Sequence, residues 1–395
     1  MRADLQQAWL DRARDHMASR STDMAETVTK VDIARYTDPQ RLAHEQALLR
    51  RTPAFVSFSA RLTKPGDYVT HDLLGLPILV LRDMGGTLRA YLNVCRHRGA
   101  KLVWEKGGCG KRAFTCPYHA WSYDLNGVLR AIPHEAGFAG LDRAQHNLVA
   151  LPVAEAFGLI FVLADPERRE YDFSGFLAGI RDDLEGFGLG DHILHDEREI
   201  GLNCNWKVVI EGGLETYHVQ HAHKRTIAPM FADNVAVADR LDPHMRLYFT
   251  KRNAAELVSG EARDEIRGGI RDYGNPLYFI FPNLIILVQP DHATVMAVHP
   301  KGTDACIVHG GALVPAMTEK GPAGTPKANA DWDRNVKICW DALDEDFQMG
   351  QAIQAGFRSG ANSHITFGRY EQGCAWFHDS LDARLDPKAA PSAAS

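Results

Sequence analysis

Two short motifs of cysteine and histidine constrain this chain more than any other feature. Cys95-x-His97 stands in the run NVCRHRGA and Cys116-x-x-His119 in TCPYHAWSY, with eighteen residues between His97 and Cys116. Each motif lies where a strand-like run meets a loop bearing glycine or proline, so we expect two loops to converge on one metal site. Each half supplies one thiolate and one imidazole, which favours a two-iron cluster with unlike irons. A structural zinc site is the alternative, although zinc fingers pair cysteine with cysteine and histidine with histidine.

Composition narrows the class of protein and the partners. The chain has 395 residues, 45% of them hydrophobic, and a net charge of −6, so we expect a globular protein with neither a nucleic-acid nor a membrane partner. The first twenty residues lack the apolar core of a secretory signal, and the longest apolar run, 277–288, is too short to span a membrane. Seven scattered cysteines indicate a reducing compartment, so we predict a cytoplasmic location.

The texture of the sequence changes along the chain and predicts four segments. Residues 1–50 have apolar residues at helical spacing, which indicates a helical segment that packs on the catalytic part. Residues 51–165 carry short β-branched and aromatic runs separated by glycine turns, as in a small antiparallel β domain. Residues 166–388 alternate helical windows, one of them 205–225, with strand-like runs and predict an α+β domain. Residues 389–395 are predicted to be disordered.

The β segment resembles the Rieske iron–sulfur domain. PGDYVTHD, NVCRHRGA, CPYHAWSYDLNG and IPHEAGF match the form found in alpha (large) subunits of Rieske non-heme iron aromatic ring-hydroxylating oxygenases. The resemblance implies an all-β Rieske [2Fe-2S] domain attached to an α+β helix-grip (START-like) catalytic domain with an antiparallel sheet. It also implies that Cys95 and Cys116 hold one iron of the cluster and that His97 and His119 hold the other.

A histidine-rich window supplies candidates for a second metal site. NWKVVIEGGLETYHVQHAHKRT contains His218, His221 and His223. Two imidazoles and one carboxylate on one face of Fe(II) leave positions open for dioxygen, as non-heme oxygenases require. On a regular helix His218 and His221 share a face, whereas His218 and His223 are about 140° apart. The residues alone therefore favour the first pair without excluding the second.

The family resemblance favours the other pair. The family pattern Glu-Asn-x-x-Glu-x-Tyr-His-x-x-x-x-His is matched at Glu211, Glu215, Tyr217, His218 and His223. It implies that His218 and His223 bind iron on a distorted helix such as a π-bulge, with His221 a bystander. The sequence departs from the pattern at Gly212-Gly213, where the family has asparagine after the first glutamate. The paired glycines indicate an unwound helix or extra room above the metal.

The carboxylate ligand is expected from the later helix LDEDFQMGQAIQAGFRSG. The resemblance places it at Asp346, with Asp344 and Glu345 as the other candidates. An acidic first turn that complements the helix dipole would explain all three residues equally well.

Glu215 is the predicted catalytic residue outside the ligand set. It precedes His218 by three residues and can accept a hydrogen bond from the second ring nitrogen of that imidazole. In the family this position bridges to a Rieske histidine of a neighbouring subunit. The resemblance therefore implies a link from Glu215 to His119 of another chain, and a homotrimer or a multiple of it.

The implied activity is hydroxylation of a small, aromatic substrate with O2. The chain lacks a glycine-rich dinucleotide fingerprint, so electrons from NAD(P)H are expected through a separate ferredoxin or flavin reductase. The alternatives are a monooxygenase that removes N- or O-methyl groups and an electron carrier without mononuclear iron. We expect Phe279, Phe281, Ile285 and Leu287 to form a wall of the substrate pocket. Arg246 and His292 are the candidates to anchor a substrate carboxylate.

Overall fold

A computed structural model describes residues 1–259, 269–318, 321–322 and 325–385. The chain forms two compact units, one of Leu49–Phe176 and one of Met1–Leu48 with the chain from Leu177 onward. The predicted tail, 389–395, lies outside the described residues. In the described part of the chain, every helix is too short or too polar to cross a membrane.

The N-terminal segment is mainly helical and belongs to the larger unit. Its elements are α1 (Ala3–Ser19), β1 (Thr29–Asp32), α2 (Ala34–Thr37) and α3 (Pro39–Arg50). Trp9 is fully buried, and its indole N–H donates to Asp239 Oδ2 at 2.9 Å. The hydroxyl of buried Tyr36 donates to Glu211 Oε1 at 2.7 Å. The segment is therefore fixed to the later sheet and helices through buried polar contacts, which cost free energy if they are broken.

The smaller unit consists of short antiparallel strands. They are β2 (Ala54–Phe58), β3 (Tyr68–Leu73), β4 (Leu76–Arg82), β5 (Leu88–Leu92), β6 (Gly107–Gly108), β7 (Ala113–Thr115), β8 (Ser122–Asp124), β9 (Leu129–Ala131), β10 (Ala150–Leu151), β11 (Val153–Ala156) and β12 (Leu159–Val162). They form three sheets with orders β10-β5-β4-β3-β6, β11-β12-β2 and β7-β8-β9. Cys95 and Cys116 are part of a buried core with Trp121 and Tyr123, so the two loops that carry the cysteine and histidine motifs are anchored in the hydrophobic interior.

The larger unit continues with longer strands and helices. They are α4 (Phe173–Gly186), β13 (His192–Leu202), α5 (Trp206–Gly212), α6 (Val219–Ala222), β14 (Phe231–Leu241), β15 (His244–Lys251), α7 (Ala255–Ser259), α8 (Ile270–Tyr273), β16 (Gly274–Ile280), β17 (Leu284–Val288), β18 (Ala293–Gly302), β19 (Ala305–Pro315), β20 (Met317–Thr318), β21 (Gly321–Pro322), α9 (Pro326–Phe357), β22 (His364–Phe367) and α10 (Gln372–Leu385).

A seven-stranded antiparallel sheet organises the larger unit, with strand order β13-β19-β18-β17-β16-β15-β14. The long helix α9 lies against it, and Val336 and Trp340 of the helix are buried with Ala312 of β19. An open antiparallel sheet buries its apolar face only when another layer covers it. The arrangement confirms the predicted α+β class with an antiparallel sheet that grips a helix.

Two candidate metal centres

The first candidate centre is formed by two loops of the smaller unit that share one backbone geometry. In each loop the cysteine N–H donates to the carbonyl five residues ahead, and the cysteine carbonyl accepts from the N–H four residues ahead. These bonds are Cys95 to Ala100 at 2.8 Å, Gly99 to Cys95 at 3.0 Å, Cys116 to Trp121 at 2.8 Å and Ala120 to Cys116 at 2.9 Å. The fourth residue after each cysteine is left-handed, with φ of 78° at Gly99 and 58° at Ala120. Two matched turns therefore present the four donors.

The four donors lie among aromatic rings. Cys95 and Cys116 are buried, and the Tyr123 hydroxyl lies 3.4 Å from Cys95 Sγ. The ring centroids of His97 and His119 are 4.7 Å apart. The His97 ring also stacks on Trp121, at 4.8 Å between centroids. These ring contacts fix the orientation of the His97 imidazole and place it next to the His119 imidazole.

The chemistry of these donors suits an iron–sulfur cluster. Nδ1 of His97 is buried and has no hydrogen-bond partner among the described residues, which is the condition of a nitrogen that binds a metal. Burial lowers the pKa of His97, so its imidazole is neutral, as a ligand must be. Burial raises the pKa of the Cys95 thiol, so a thiolate there requires a cation beside it.

The second candidate centre begins at a helix that ends early. The side chain of Asn205 caps α5 by accepting from the Lys207 N–H at 3.0 Å, and α5 ends at Gly212. A single short turn, α6, follows at Val219–Ala222. The helix predicted over 205–225 is interrupted, and the chain leaves it at the paired glycines, where the sequence indicated an unwound helix. A Cβ on Gly213 would lie 2.6 Å from Ile285 Cδ1, so glycine allows close packing on β17.

This break decides the geometry of the histidines. His218 directly precedes α6 and His223 directly follows it. Nε2 of His218 lies 3.1 Å from Nε2 of His223. Oδ1 of Asp346 on α9 lies 3.4 Å from the first nitrogen and 3.1 Å from the second. Neighbouring ligands on one ion, each about 2.1 Å from it, lie about 3.0–3.4 Å apart, so the three atoms can hold a single metal ion.

The two centres differ in the kind of donor they offer. Within the described residues, His218, His223 and Asp346 present ligand atoms that all lie within 4.8 Å of one another. At the first centre each loop supplies one thiolate and one imidazole, which suits a cluster of two unlike irons better than a zinc ion.

A carboxylate contacts the second ring nitrogen of each histidine at this centre. Glu215 Oε1 is hydrogen-bonded to His218 Nδ1, as predicted. Glu345 Oε2 lies 3.0 Å from His223 Nδ1 and accepts from the Thr226 hydroxyl at 2.7 Å. Glu345, a candidate ligand in the sequence, thus contacts the side of the imidazole away from the other donors. Such partners fix the tautomer and the orientation of a metal-binding imidazole.

The electrostatics favour a cation between the two rings. Burial lowers the pKa of His218, but the hydrogen bond and charge of Glu215 outweigh it and raise that pKa to about 9. Burial also lowers the pKa of His223, and Asp346 and Glu345 outweigh it, so this pKa rises as well. The negative charges that stabilise a protonated imidazole also stabilise a metal ion.

The remaining candidates lie outside the donor group. His221 and Asp344 are solvent-exposed, and neither lines the adjoining cavity. The role of Glu345 was missed by sequence reasoning. Its signal was the acidic pair Glu345-Asp346, in which neighbouring helical residues point about 100° apart and so serve different partners.

A cavity of about 480 Å³ opens beside His218, His223 and Asp346. Its wall is mostly aliphatic, and the aromatic rings among its described lining residues are Phe231 and Phe249. The predicted wall is found in part, since Ile285 and Leu287 line the cavity whereas Phe279 and Phe281 are buried elsewhere. Of the two candidate anchors, His292 lines the cavity, and Arg246 is held by ion pairs to Asp183 and Asp239.

Comparison with known proteins matches both parts of the chain. Residues 53–149 match the Rieske [2Fe-2S] domain, and residues 181–387 match the catalytic domain of ring-hydroxylating alpha subunits. These two matches define a Rieske non-heme iron oxygenase. The chain belongs to the family of Rieske ring-hydroxylating oxygenase alpha subunits, with a Rieske [2Fe-2S] domain and a catalytic domain for mononuclear iron. Enzymes of this family take electrons from a separate reductase or ferredoxin.

Three relatives are similar over most of their length. The chain is 30% identical to the glycine betaine monooxygenase oxygenase subunit of Chromohalobacter salexigens, over 90% of this chain and 86% of the relative. It is 32% identical to the carnitine monooxygenase oxygenase subunit of Acinetobacter baumannii, over 85% of this chain and 86% of the relative. A crystal structure of a quaternary ammonium Rieske monooxygenase with an inhibitor superposes with a TM-score of 0.76 at 23% identity, over 91% and 96% of the two chains. At that identity the structural match shows the fold alone.

Proposed function

We propose that this chain is the terminal oxygenase of a monooxygenase that oxidises an N-methyl group of a small quaternary ammonium compound. The observation that carries the proposal is its 30–32% identity, over 85–90% of the chain, to oxygenase subunits of glycine betaine and carnitine monooxygenases. This favours N-demethylation, the alternative raised by the sequence, over hydroxylation of an aromatic ring.

The cavity is consistent with such a substrate. Its aliphatic wall suits methyl groups, and it has few aromatic rings on which a flat substrate would stack. Its metal end carries the carboxylates of Glu215 and Asp346, and among the described lining residues the one Lys or Arg is Lys251.

The proposal assigns a role to each donor. Cys95, His97, Cys116 and His119 hold the [2Fe-2S] cluster, and His218, His223 and Asp346 hold Fe(II), which when bound supplies the binding and activation of dioxygen. Glu215 and Glu345 hold the two iron-binding imidazoles by their Nδ1 atoms, so that each Nε2 points to the metal. The aliphatic wall excludes water from the reacting carbon.

Electron delivery is part of the same proposal. A Rieske cluster held by Cys95, His97, Cys116 and His119 would accept electrons that a separate flavin reductase or ferredoxin takes from NAD(P)H, and Glu215 would link His218 to His119 of a neighbouring subunit. The supporting observation is that the Glu215 carboxylate is hydrogen-bonded to Nδ1 of His218. Such head-to-tail contacts close into a ring, and the family resemblance implies that this ring is a homotrimer or a multiple of it. Sedimentation velocity of the holoenzyme tests this arrangement.

The reaction balances as a monooxygenation. A quaternary ammonium ion, O2, NADH and one proton give the protonated tertiary amine, formaldehyde, water and NAD⁺. The test is turnover of the purified, iron-loaded chain with a surrogate reductase on N-methylated betaines, with formaldehyde and the demethylated amine measured together. One formaldehyde per NADH supports the proposal, provided that one oxygen atom of ¹⁸O-labelled dioxygen is recovered in the water that the reaction forms. A cis-diol from an aromatic substrate, with both labelled oxygen atoms in one product, would instead establish dioxygenation.

A further inference from the structure

The cavity has a second, polar end, formed by the ends of the central strands. Asn275 is the second residue of β16, Gln289 follows β17, His292 directly precedes β18, and Thr294 is the second residue of β18. Lys251 closes β15 beside them, and Asp291 and Asn335 complete the set. The wall between this end and the metal donors is aliphatic, with Leu277, Leu287 and Ile338 among its residues. We call the polar set Lys251, Asn275, Gln289, Asp291, His292 and Asn335 the distal site.

The rise per residue of β16 and of α9 gives two estimates of the distance between the distal site and the metal donors. In the sheet, Ile285 packs on Gly213, at the metal end of the cavity, and Phe279 of β16 is the strand partner of Ile285. Asn275 lies four residues from Phe279 along β16. Four residues of strand span about 13 Å. On α9, Asn335 and Asp346 both line the cavity and are eleven residues apart, which is about 16 Å of helix. The two ends of the cavity are therefore separated by roughly 13–16 Å.

Two buried polar atoms of the distal site have no hydrogen-bond partner among the described residues. Nε2 of His292 and Oδ1 of Asn275 are both unpaired, and the two residues are 3% and 7% exposed. A buried polar atom without a partner is costly unless a ligand or water supplies one. Both residues line the cavity, so a polar group of a bound substrate can reach them.

The charges of the distal site are arranged for an anion. Asp291 is already occupied, since one carboxylate oxygen contacts His292 Nδ1 at 2.7 Å and the other accepts from Asn335 Nδ2 at 2.6 Å. Among the described residues Lys251 donates to a neutral partner, the carbonyl of Arg271, at 2.8 Å. The cations Lys251, His292 and Arg271 thus face two carboxylates, Asp291 and the exposed Asp272.

The protonation states of His292 and Lys251 also favour binding of an anion at the distal site. Burial lowers the pKa of His292, but Asp291 and Cys339 outweigh it and raise that pKa to about 9. Nε2 of His292 is then a donor at neutral pH. Burial lowers the pKa of Lys251 to about 8, against the opposing effect of Asp272 and Asp291. Both side chains are predominantly cationic near pH 7.

We propose that the distal site binds the carboxylate of a zwitterionic substrate whose quaternary nitrogen lies at the metal end. The identity of the nitrogen end rests on the proposed function, whereas the anion site rests on the geometry above. A hydrogen bond at one end and a reacting contact at the other take about 3 Å each, so the separation has room for several carbon atoms between nitrogen and carboxylate, more than the single carbon of a glycine-type betaine.

The test is a ladder of trimethylammonio-carboxylates with one to five carbon atoms between nitrogen and carboxylate, each paired with its uncharged methyl ester. Binding to the anaerobic holoenzyme is measured by calorimetry without a reductase, so turnover does not enter. We expect the longer carboxylates to bind about 10–100-fold more tightly than their esters, the range for hydrogen bonds to a charged group. We expect no such preference for the one-carbon compound.

Substitutions assign the preference to named residues. Lys251→Met and His292→Gln should each reduce the carboxylate preference about tenfold and leave ester affinity within about twofold. Lys337→Met is the matched control, because Lys337 is an exposed residue of α9 paired with Asp341 and away from the cavity. In the unsubstituted chain the preference should decline as pH rises from about 8 to 9, where Lys251 and then His292 lose their protons.

The outcomes separate this proposal from the proposed function. Equal affinity for acids and esters, or a preference unchanged in both variants, would overturn the distal site. If no compound yields formaldehyde but carboxylates still bind through Lys251 and His292, the site is supported and the proposed reaction fails. Formaldehyde from acid and ester with equal kcat/KM and equal affinity would support the reaction and overturn the distal site.

Discussion

The two candidate metal centres are built in opposite ways. In the smaller unit, each cysteine and histidine pair is placed by one closed loop, and the two loops have the same pattern of backbone bonds. In the larger unit, the donors come from both sides of a one-turn helix and from α9, more than a hundred residues later. The first centre is defined locally and the second by tertiary packing. Local spacing therefore predicts the first far better than the second.

The support of the histidines also differs. His97 stacks on Trp121, and its Nδ1 has no partner in the described chain. His218 and His223 are each held at Nδ1 by a carboxylate. The first centre orients its imidazoles with aromatic rings, which add little charge, and the second with anions, which favour a cation.

Asp346→Ala gives the largest expected effect and tests whether the centres are independent. Loss of the only carboxylate in the donor group leaves two imidazoles, so iron content should fall from three to two atoms per chain. Turnover should fall by more than about 10–100-fold, which is the typical loss when a residue hydrogen-bonded to a metal ligand is removed. The visible spectrum of the Rieske cluster should stay unchanged. Iron analysis, absorption spectra and formaldehyde assays measure the three quantities.

The matched control for this prediction is Asp344→Asn on the same helix. Asp344 is exposed and outside the donor group, so this variant should retain three irons and full turnover. If Asp346→Ala retains the third iron and its activity, the carboxylate ligand must be reassigned. Loss of the cluster spectrum in Asp346→Ala would show that the two centres depend on each other.

Glu345→Ala should have a smaller effect and tests the role of the carboxylate beside His223. It removes the acceptor for His223 Nδ1 and for the Thr226 hydroxyl, so Fe(II) affinity should fall about 10–100-fold. Glu345→Gln keeps an amide oxygen in place and should recover most of the affinity, since it still orients the ring. Competition with a colorimetric chelator measures both. Equal losses in the two variants would mean that charge, and not orientation, is what Glu345 supplies.

The same contrast explains what the sequence could predict. The spacing of Cys95, His97, Cys116 and His119 within two short loops is enough to predict a shared site. The α+β class followed from the strand and helix periodicities. The pair His218 and His223 was obtained from family resemblance, because helical spacing favoured His218 and His221. The distinction depends on where the helix ends, which propensity indicates only weakly.

The remaining gaps concern contacts between distant segments. Glu345 pairs with His223 across more than a hundred residues, so the acidic pair Glu345-Asp346 indicates two different partners but not which partner each carboxylate contacts. Phe279 was expected in the substrate wall because it lies in an apolar strand, but it packs against Phe377 of α10. The alternation of residues along a strand predicts on which face of the sheet a side chain lies, but not which residue it packs against there.

Gly213→Ala gives the smallest expected effect and tests the helix break that brings the histidines together. The new Cβ would lie 2.6 Å from Ile285 Cδ1, so one of the two side chains must move. Overpacking costs about 1–3 kcal/mol, and we expect about 1 kcal/mol here, because the clashing atom ends a flexible side chain beside the cavity. Thermal or urea unfolding of the iron-loaded chain measures the loss.

A double-mutant cycle makes this prediction specific. Ile285→Val removes the clashing atom, so Gly213→Ala in that background should cost much less than in the unsubstituted chain. Gly212→Ala is the matched control, since a Cβ there has no atom within 4 Å and gains helix propensity. If both alanines destabilise equally and Ile285→Val gives no relief, close packing on β17 is not what requires glycine. The break would then depend on the backbone freedom of the glycine pair, and the histidine geometry with it.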